Sequence, residues 1–420
     1  MKLPSCCVGV CIAVAASALV AGCDAKPGAS GRIDAQWHRS NMVDDLLPRW
    51  TQAASTDTGF MRTAVDRKWQ PSEAQPGYLT EHARLVYVLI VGYEVTKDKR
   101  QLEAAKRGAD FMLARFHDPA NGGFYQRVAA DGKVISDSKN TYDHAFVLLA
   151  LSHMARITGD VRYREAALAT WKDIDLWLRD GKGGFFGELP RNFEQPGRGV
   201  QGSRSQNPLM HMFEALLALH EATRDPAALS GAKKLGDFVV YKLMQGTADS
   251  GAFIPEWYDA NWKPMATKEL GGYTDIGHQF EWVHLLLEAE AGGISSVYAP
   301  AAARLLEFAV KRGYDETEGG SFDRLYPDGS LSKTKHWWPQ TEALRAFFLS
   351  ASASGQKDMW RRYDQTLRLV QDQFVDKDNG GWFIRPRSVC ERETCPPKQV
   401  EPYHMVAMHR SALAIAERQR

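Results

Sequence analysis

"NGGFY" at residues 121–125 is one of six short Gly-aromatic turns whose spacing decides the fold. The others are DTGF (57–60), KGGFFGE (182–188), DSGAF (249–253), EGGSF (318–322) and NGGWF (379–383), a period of about 61 to 68 residues. A recurrence of that length marks an array of supersecondary units. An apolar stretch of helical length follows each turn: HARLVYVLIVGYEV from 82, DHAFVLLALSHMARI from 143, MHMFEALLALHEAT from 210, GHQFEWVHLLLEAE from 277, WPQTEALRAFFLSA from 338 and YHMVAMHRSALAIAE from 403. Charged amphipathic helices precede the later turns, as in KDKRQLEAAKRGADFMLARF from 97 and RYREAALATWKDIDLWL from 162. Helices apolar all round are buried, and helices with one polar face are exposed.

Six buried helices alternating with six exposed ones predict an all-α (α/α)6 barrel, with parallel inner helices and an antiparallel outer ring. Inner-to-outer links are short, such as TGD at 158–160, while outer-to-inner links are long and carry the Gly-aromatic turns. Long loops and six helix N-termini, with their unsatisfied N–H groups, therefore collect at one end, where a funnel-shaped site is expected. The barrel domain is expected over 40–420.

The 420 residues are 44% hydrophobic and 25% charged with a formal net charge of +1, the profile of a globular protein with ample core. That balance argues against nucleic acid or an acidic membrane surface as the main partner, since both need a basic field. A ligand that is small or uncharged is expected. No P-loop and no dinucleotide fingerprint follows a strand, and no cofactor is implied.

At the N-terminus, Lys2 precedes an apolar run from Val8 to Val20 and then LVAGC, ending at Cys23. This resembles a bacterial lipoprotein signal. The resemblance implies removal of residues 1–22, lipidation of Cys23, a tether over 23–39, and an exported protein attached to the periplasmic side of a membrane only through its lipid. An ordinary secretory signal is the other reading. Asp24 resembles the inner-membrane retention residue of enterobacterial lipoproteins. Of the six cysteines, Cys6, Cys7 and Cys11 leave with the signal. Cys390 and Cys395 are then left as a pair, expected as a disulfide rather than a metal site.

The first turns of the buried helices carry polar residues that a plain core would not require: Arg84, His144, His211 with Glu214, His278 with Glu281, Gln340 with Glu342, and His404. His211–Glu214 and His278–Glu281 are i,i+3 pairs, so each carboxylate is expected to orient its imidazole. Pro339 fits a first helical turn, which places Trp337 and Trp338 just outside that helix as walls for a flat ligand with apolar faces. The alternative for the tryptophans is packing, and Arg84 is open to a structural ion pair with Glu281 or Glu342. His153, His220, His284 and His409 are expected to be structural, and His82 and His336 are candidates by proximity alone. Two His-x-x-Glu pairs run opposite to the Glu-x-x-His order of dinuclear carboxylate bundles, so no metal is expected.

GHQFEW (277–282), WWPQTEAL (337–344), MHMFEALLAL (210–219), HARLVY (82–87) and PYH (402–404) resemble signature segments of the N-acylglucosamine 2-epimerase superfamily. The resemblance covers most of the chain from about residue 40. It implies metal-independent proton transfer beside an opened sugar aldehyde, giving 2-epimerisation or aldose–ketose isomerisation, with mannose and glucose as leading substrates. His278 and His404 would be the acid/base pair, Glu281 would tune His278, and Arg84 would stabilise the enediolate oxygen. His211, Glu214, Gln340, His144 and Tyr403 would bind sugar hydroxyls or assist ring opening, and Trp337 and Trp338 would stack on the sugar. Met405 to His409 stand where the family often continues sooner to an Arg-Ala pair, which leaves open whether Arg410 reaches the site. The rival readings are a glycoside hydrolase on the same toroid, using acids such as Asp143, Glu214 and Glu281, and a non-catalytic sugar-binding lipoprotein.

Cys23→Ala is expected to leave the protein unprocessed or free of the membrane, because stable attachment requires more than one buried acyl chain. Fractionation checks this, and native protein already found in the soluble wash would contradict the lipoprotein signal.

Overall fold

The computed structural model describes residues 32–195, 203–247, 251–393 and 395–419. Cys23 and the tether up to residue 31 lie outside the described residues. Six inner helices are present: Leu79–Thr96, Thr141–Thr158, Asn207–Thr223, Ile276–Ala291, Trp337–Ser354 and Tyr403–Arg418. Each packs on its neighbours in the ring, and the sixth closes against the first. Their first turns all face one cavity, so the inner helices run parallel. Outer helices precede them, the first running without a break through Ala35–Arg39, Ser40–Leu46 and Leu47–Ala54. It starts before residue 40. Ile33 and His38 are already buried, and His38 bonds to His409 and Tyr363, so the folded body begins inside the stretch expected as tether.

The short links have a local cause. Lys97, Gly159 and Arg224 end inner helices in the left-handed conformation, and the next residue, Asp98, Asp160 or Asp225, caps the following outer helix through its carboxylate. Four outer helices end in a π-helical turn, at Met112–Phe116, Ile174–Leu178, Val239–Leu243 and Val370–Phe374. In three of them a Gly-aromatic turn then folds back as a tight antiparallel bridge, pairing His117 with Phe124, Arg179 with Phe185, and Val375 with Trp382.

In four of these six inner helices the fourth residue pins the turn that precedes it. His144 Nε2 accepts from the Phe124 N–H (3.0 Å), Gln279 Oε1 from the Ile254 N–H (2.8 Å) and Gln340 Oε1 from the Ser321 N–H (2.7 Å). His82 faces the Met61 N–H in the same way at 3.4 Å. Buried backbone groups require such partners. Trp337 and Trp338 are the first two residues of the fifth inner helix rather than lying outside it, because Pro339 is tolerated anywhere in a first turn that needs no N–H partner. Cys390 and Cys395 form a disulfide in the insert ahead of the last helix. Among the described residues no helix is long and apolar enough to cross a membrane.

Gly123 has φ +62°, and a Cβ there would stand 2.7 Å from His144 Nε2 and 2.8 Å from the Phe193 ring. Gly123→Ala is therefore expected to destabilise the fold by about 1–3 kcal/mol through left-handed strain and displacement of the pinning imidazole. Urea unfolding measures this.

Candidate active site

All six inner helices contribute to a cavity of about 1150 Å³ at their N-terminal end, through Arg84, Tyr142 with Asp143, His211, His278, Trp337 with Trp338, and His404. Its size exceeds the usual ligand pocket of about 300–1,000 Å³. Trp338 lies between two of the histidines, its ring centroid 4.9 Å from that of His278 and 5.5 Å from that of His404.

The two histidines differ in charge. His278 Nδ1–H donates to Glu256 Oε2 at 2.7 Å. Burial alone would lower its pKa, but the charges of Glu256 and Asp275 outweigh that and raise it to about 10, so the ring is an imidazolium. Asp275 also caps this helix, accepting from the His278 backbone N–H. The expected partner of His278, Glu281, does not bond to it. Glu256 does so instead, from the loop before the helix and with no periodic signal in the sequence. An i,i+3 carboxylate on a helix reaches its imidazole only when neither has a better partner across the barrel.

His404 Nδ1–H donates to Glu342 Oε1 at 2.8 Å. Burial lowers its pKa despite that carboxylate, so it is neutral with Nε2 free of protein partners. Glu342 is buried and would be pushed toward neutrality, but Arg345 at 3.5 Å and the rings of His284 (2.9 Å) and His404 keep it charged. His284, expected to be structural, thus helps to set the group behind His404. Glu281 goes the other way: burial and the charge of Glu342 raise its pKa, so it is a neutral acid. Glu281, Glu342 and His404 have ligand-type atoms within 4.8 Å of one another. Both Glu342 oxygens and His404 Nδ1 are already spent on hydrogen bonds within the protein, and Glu281 holds its proton, which suits a metal poorly.

Arg84 donates to the Tyr142 hydroxyl (2.7 Å) and to Glu401 (3.3 Å), and its guanidinium lies 4.2 Å from the Phe146 ring centroid. Its acidic partner is therefore Glu401 rather than Glu281 or Glu342. Burial lowers the pKa of His211 to about 4, so it is neutral, and it faces Glu214 at 3.4 Å as its i,i+3 spacing predicts.

Several residues expected to touch the ligand do not line the cavity. His144 and Gln340 are spent on the Gly-aromatic turns, one position past Asp143 and two past Trp338, which face inward. Tyr403 is buried with its hydroxyl on Glu214, and Glu214 itself borders a separate cavity at the other end of the barrel. Arg410 borders that same far cavity and pairs with Glu94, so it does not reach the site. His336 bonds to Asp323 at the rim, and His82 is buried on Gly108.

A cavity with one charged and two neutral imidazoles, an arginine and a tryptophan wall, set in the mouth of an (α/α)6 barrel, has the groups for acid/base chemistry on a small ligand. The chain belongs to the N-acylglucosamine 2-epimerase family, whose sequence model matches residues 59–407. It is 24% identical over 363 residues to a cellobiose 2-epimerase of Eubacterium cellulosolvens, covering 81% of this chain and 88% of that one. It is 32% identical over 322 residues to a mannose-6-phosphate isomerase of Rhizobium meliloti, covering 72% and 76%. The fold matches that of a cellobiose 2-epimerase from Bacillus thermoamylovorans with a TM-score of 0.80 at 19% identity, covering 91% and 99%. The protein is thus a carbohydrate epimerase or isomerase.

NMR titration of the histidine rings should find His278 still protonated at pH 8 and His404 neutral at pH 7. Glu256→Gln should bring the His278 titration down from about 10, because burial is then opposed by fewer charges.

Proposed function

We propose that the enzyme moves a proton at C2 of an opened aldose through an enediolate, giving either the C2 epimer or the ketose, and that it needs no metal to do so. The observation that carries this reading is the placement of His278, held on Glu256, and His404, held on Glu342, around Trp338 at the mouth of the barrel. Neutral His404 removes the C2 proton through Nε2. The electron pair moves into the C1–C2 bond, and the carbonyl oxygen becomes an oxyanion, which the guanidinium of Arg84 favours electrostatically. Imidazolium His278 then returns a proton. Delivery to the opposite face of C2 gives the epimer, whereas delivery to C1, with the O2 proton passing to O1, gives the ketose. Trp337 and Trp338 offer ring faces for the apolar side of the sugar.

The sign of the pH dependence follows. Activity falls as pH drops through the lowered pKa of His404, because the base is lost. It falls again as pH rises toward about 10, because the acid is lost. We also propose, on the N-terminal stretch alone, that the enzyme is an exported lipoprotein anchored through Cys23.

Incubation with a panel of aldoses and ketoses in deuterated water, read by proton NMR, tests the reaction class. A product isomeric with the substrate and carrying one solvent deuterium at C2 or C1 is expected, and added water would mean hydrolysis. His278→Asn and His404→Asn should each lower the rate by roughly two to four orders of magnitude. Near-normal turnover in both, or loss of native activity to a chelator, would overturn the assignment.

A further inference from the structure

Asp143 occupies a place on its helix equivalent to that of His278. Each stands three residues after an N-cap whose side chain closes the first turn, Asn140 in one case and Asp275 in the other. Each is followed by the residue that pins a Gly-aromatic turn, His144 or Gln279. The mechanism above uses His278 and leaves Asp143 without a task. Yet Asp143 lines the same cavity, is only 8% exposed, and has one carboxyl oxygen with no protein partner.

The other oxygen accepts from the Thr80 hydroxyl. The two carboxyl oxygens are equivalent, and the torsion that carries them is soft. Thr80 therefore holds the group in place while either oxygen turns to the cavity. An acceptor buried in a wall without a donor is costly, and the cost is removed when a ligand hydroxyl supplies the donor. Burial raises its pKa to about 7, with Glu188 adding to the shift and Arg84 opposing it. Glu188 lines the cavity beside it, on the strand that pairs with the N-cap Asn140. Two carboxyl groups thus stand together on this part of the wall, with Arg84 acting on Asp143 from the neighbouring helix and Arg204 stacked on the Phe186 ring nearby.

We propose that Asp143 is a specificity-determining substrate-binding residue whose carboxyl accepts a hydrogen bond from a sugar hydroxyl and, together with Glu188, selects unphosphorylated sugars over their phosphates. This rests on the sugar reading of the site. It goes beyond that reading by naming the group that discriminates neutral from anionic substrates.

Kinetics of the wild type, Asp143→Asn, Asp143→Ala and Glu188→Gln test it, using whichever aldose the wild type turns over, its monodeoxy analogues, and its 6-phosphate as substrate or competitive inhibitor. Asp143→Ala should raise KM for the parent aldose roughly ten- to a hundredfold, the range for a hydrogen bond to a charged group. It should have little further effect on the one deoxy analogue that lacks the hydroxyl it holds. Asp143→Asn and Glu188→Gln should each tighten inhibition by the 6-phosphate relative to the parent. Equal losses for every deoxy analogue, or an unchanged KM, would overturn the hydroxyl contact. Unchanged phosphate inhibition in Glu188→Gln, an exposed position whose substitution spares the fold, would overturn the charge selection. A wild type that turns over no aldose would instead count against the sugar reading itself.

Discussion

Everything at the bottom of the active site depends on one carboxylate that water does not reach. Glu342 is fully buried, and a bare carboxylate there would cost several kcal/mol. Two imidazoles and a guanidinium offset that cost: His404 on one oxygen, and His284 and Arg345 on the other. The same bonds have a chemical result. A carboxylate held on Nδ1 fixes the His404 tautomer with its proton on that side, so the lone pair of Nε2 is left for the cavity. What keeps Glu342 charged therefore also aims the base.

The neighbouring Glu281 follows from this. Two buried carboxylates this close cannot both be charged, and the hydrogen-bonded imidazoles and guanidinium are on Glu342. Glu281 keeps its proton. Across the cavity the balance is reversed, because His278 sits against two acidic groups, Glu256 and Asp275, and these hold it as an imidazolium. One residue type on two helices of the same ring is thus held charged in one place and neutral in the other. The surrounding carboxylates decide which, and no difference in the imidazole is needed.

The fold was legible in the sequence because a ring of repeated hairpins writes its period openly, in NGGFY and its five counterparts. The site was legible only in part. Arg84, His211, His278, Trp337, Trp338 and His404 all reach the cavity as the family resemblance implied. His144 and Gln340 do not, because each residue of offset turns a side chain by about 100° around the helix and so moves it from the cavity to the loop it pins. Glu256 was invisible for another reason: its bond to His278 spans 22 residues from a loop without periodicity. Local spacing suggested Glu281 for that role, and only packing across the barrel gives Glu281 to Glu342.

The repeat explains how one scaffold can carry so asymmetric a site. Where the fourth residue of an inner helix is tied to its turn, as His144, Gln279 and Gln340 are, it is constrained by folding. The residues just before it face the cavity and carry no such duty. They differ from helix to helix: Asp143, His278 and Trp338 are examples. Holding the fourth position rigid aligns the two residues before it, because only one or two peptide units of helical backbone separate them. The energy that fixes the loops thus also positions the side chains that line the cavity, so that the site is preorganised by the same bonds that hold the fold.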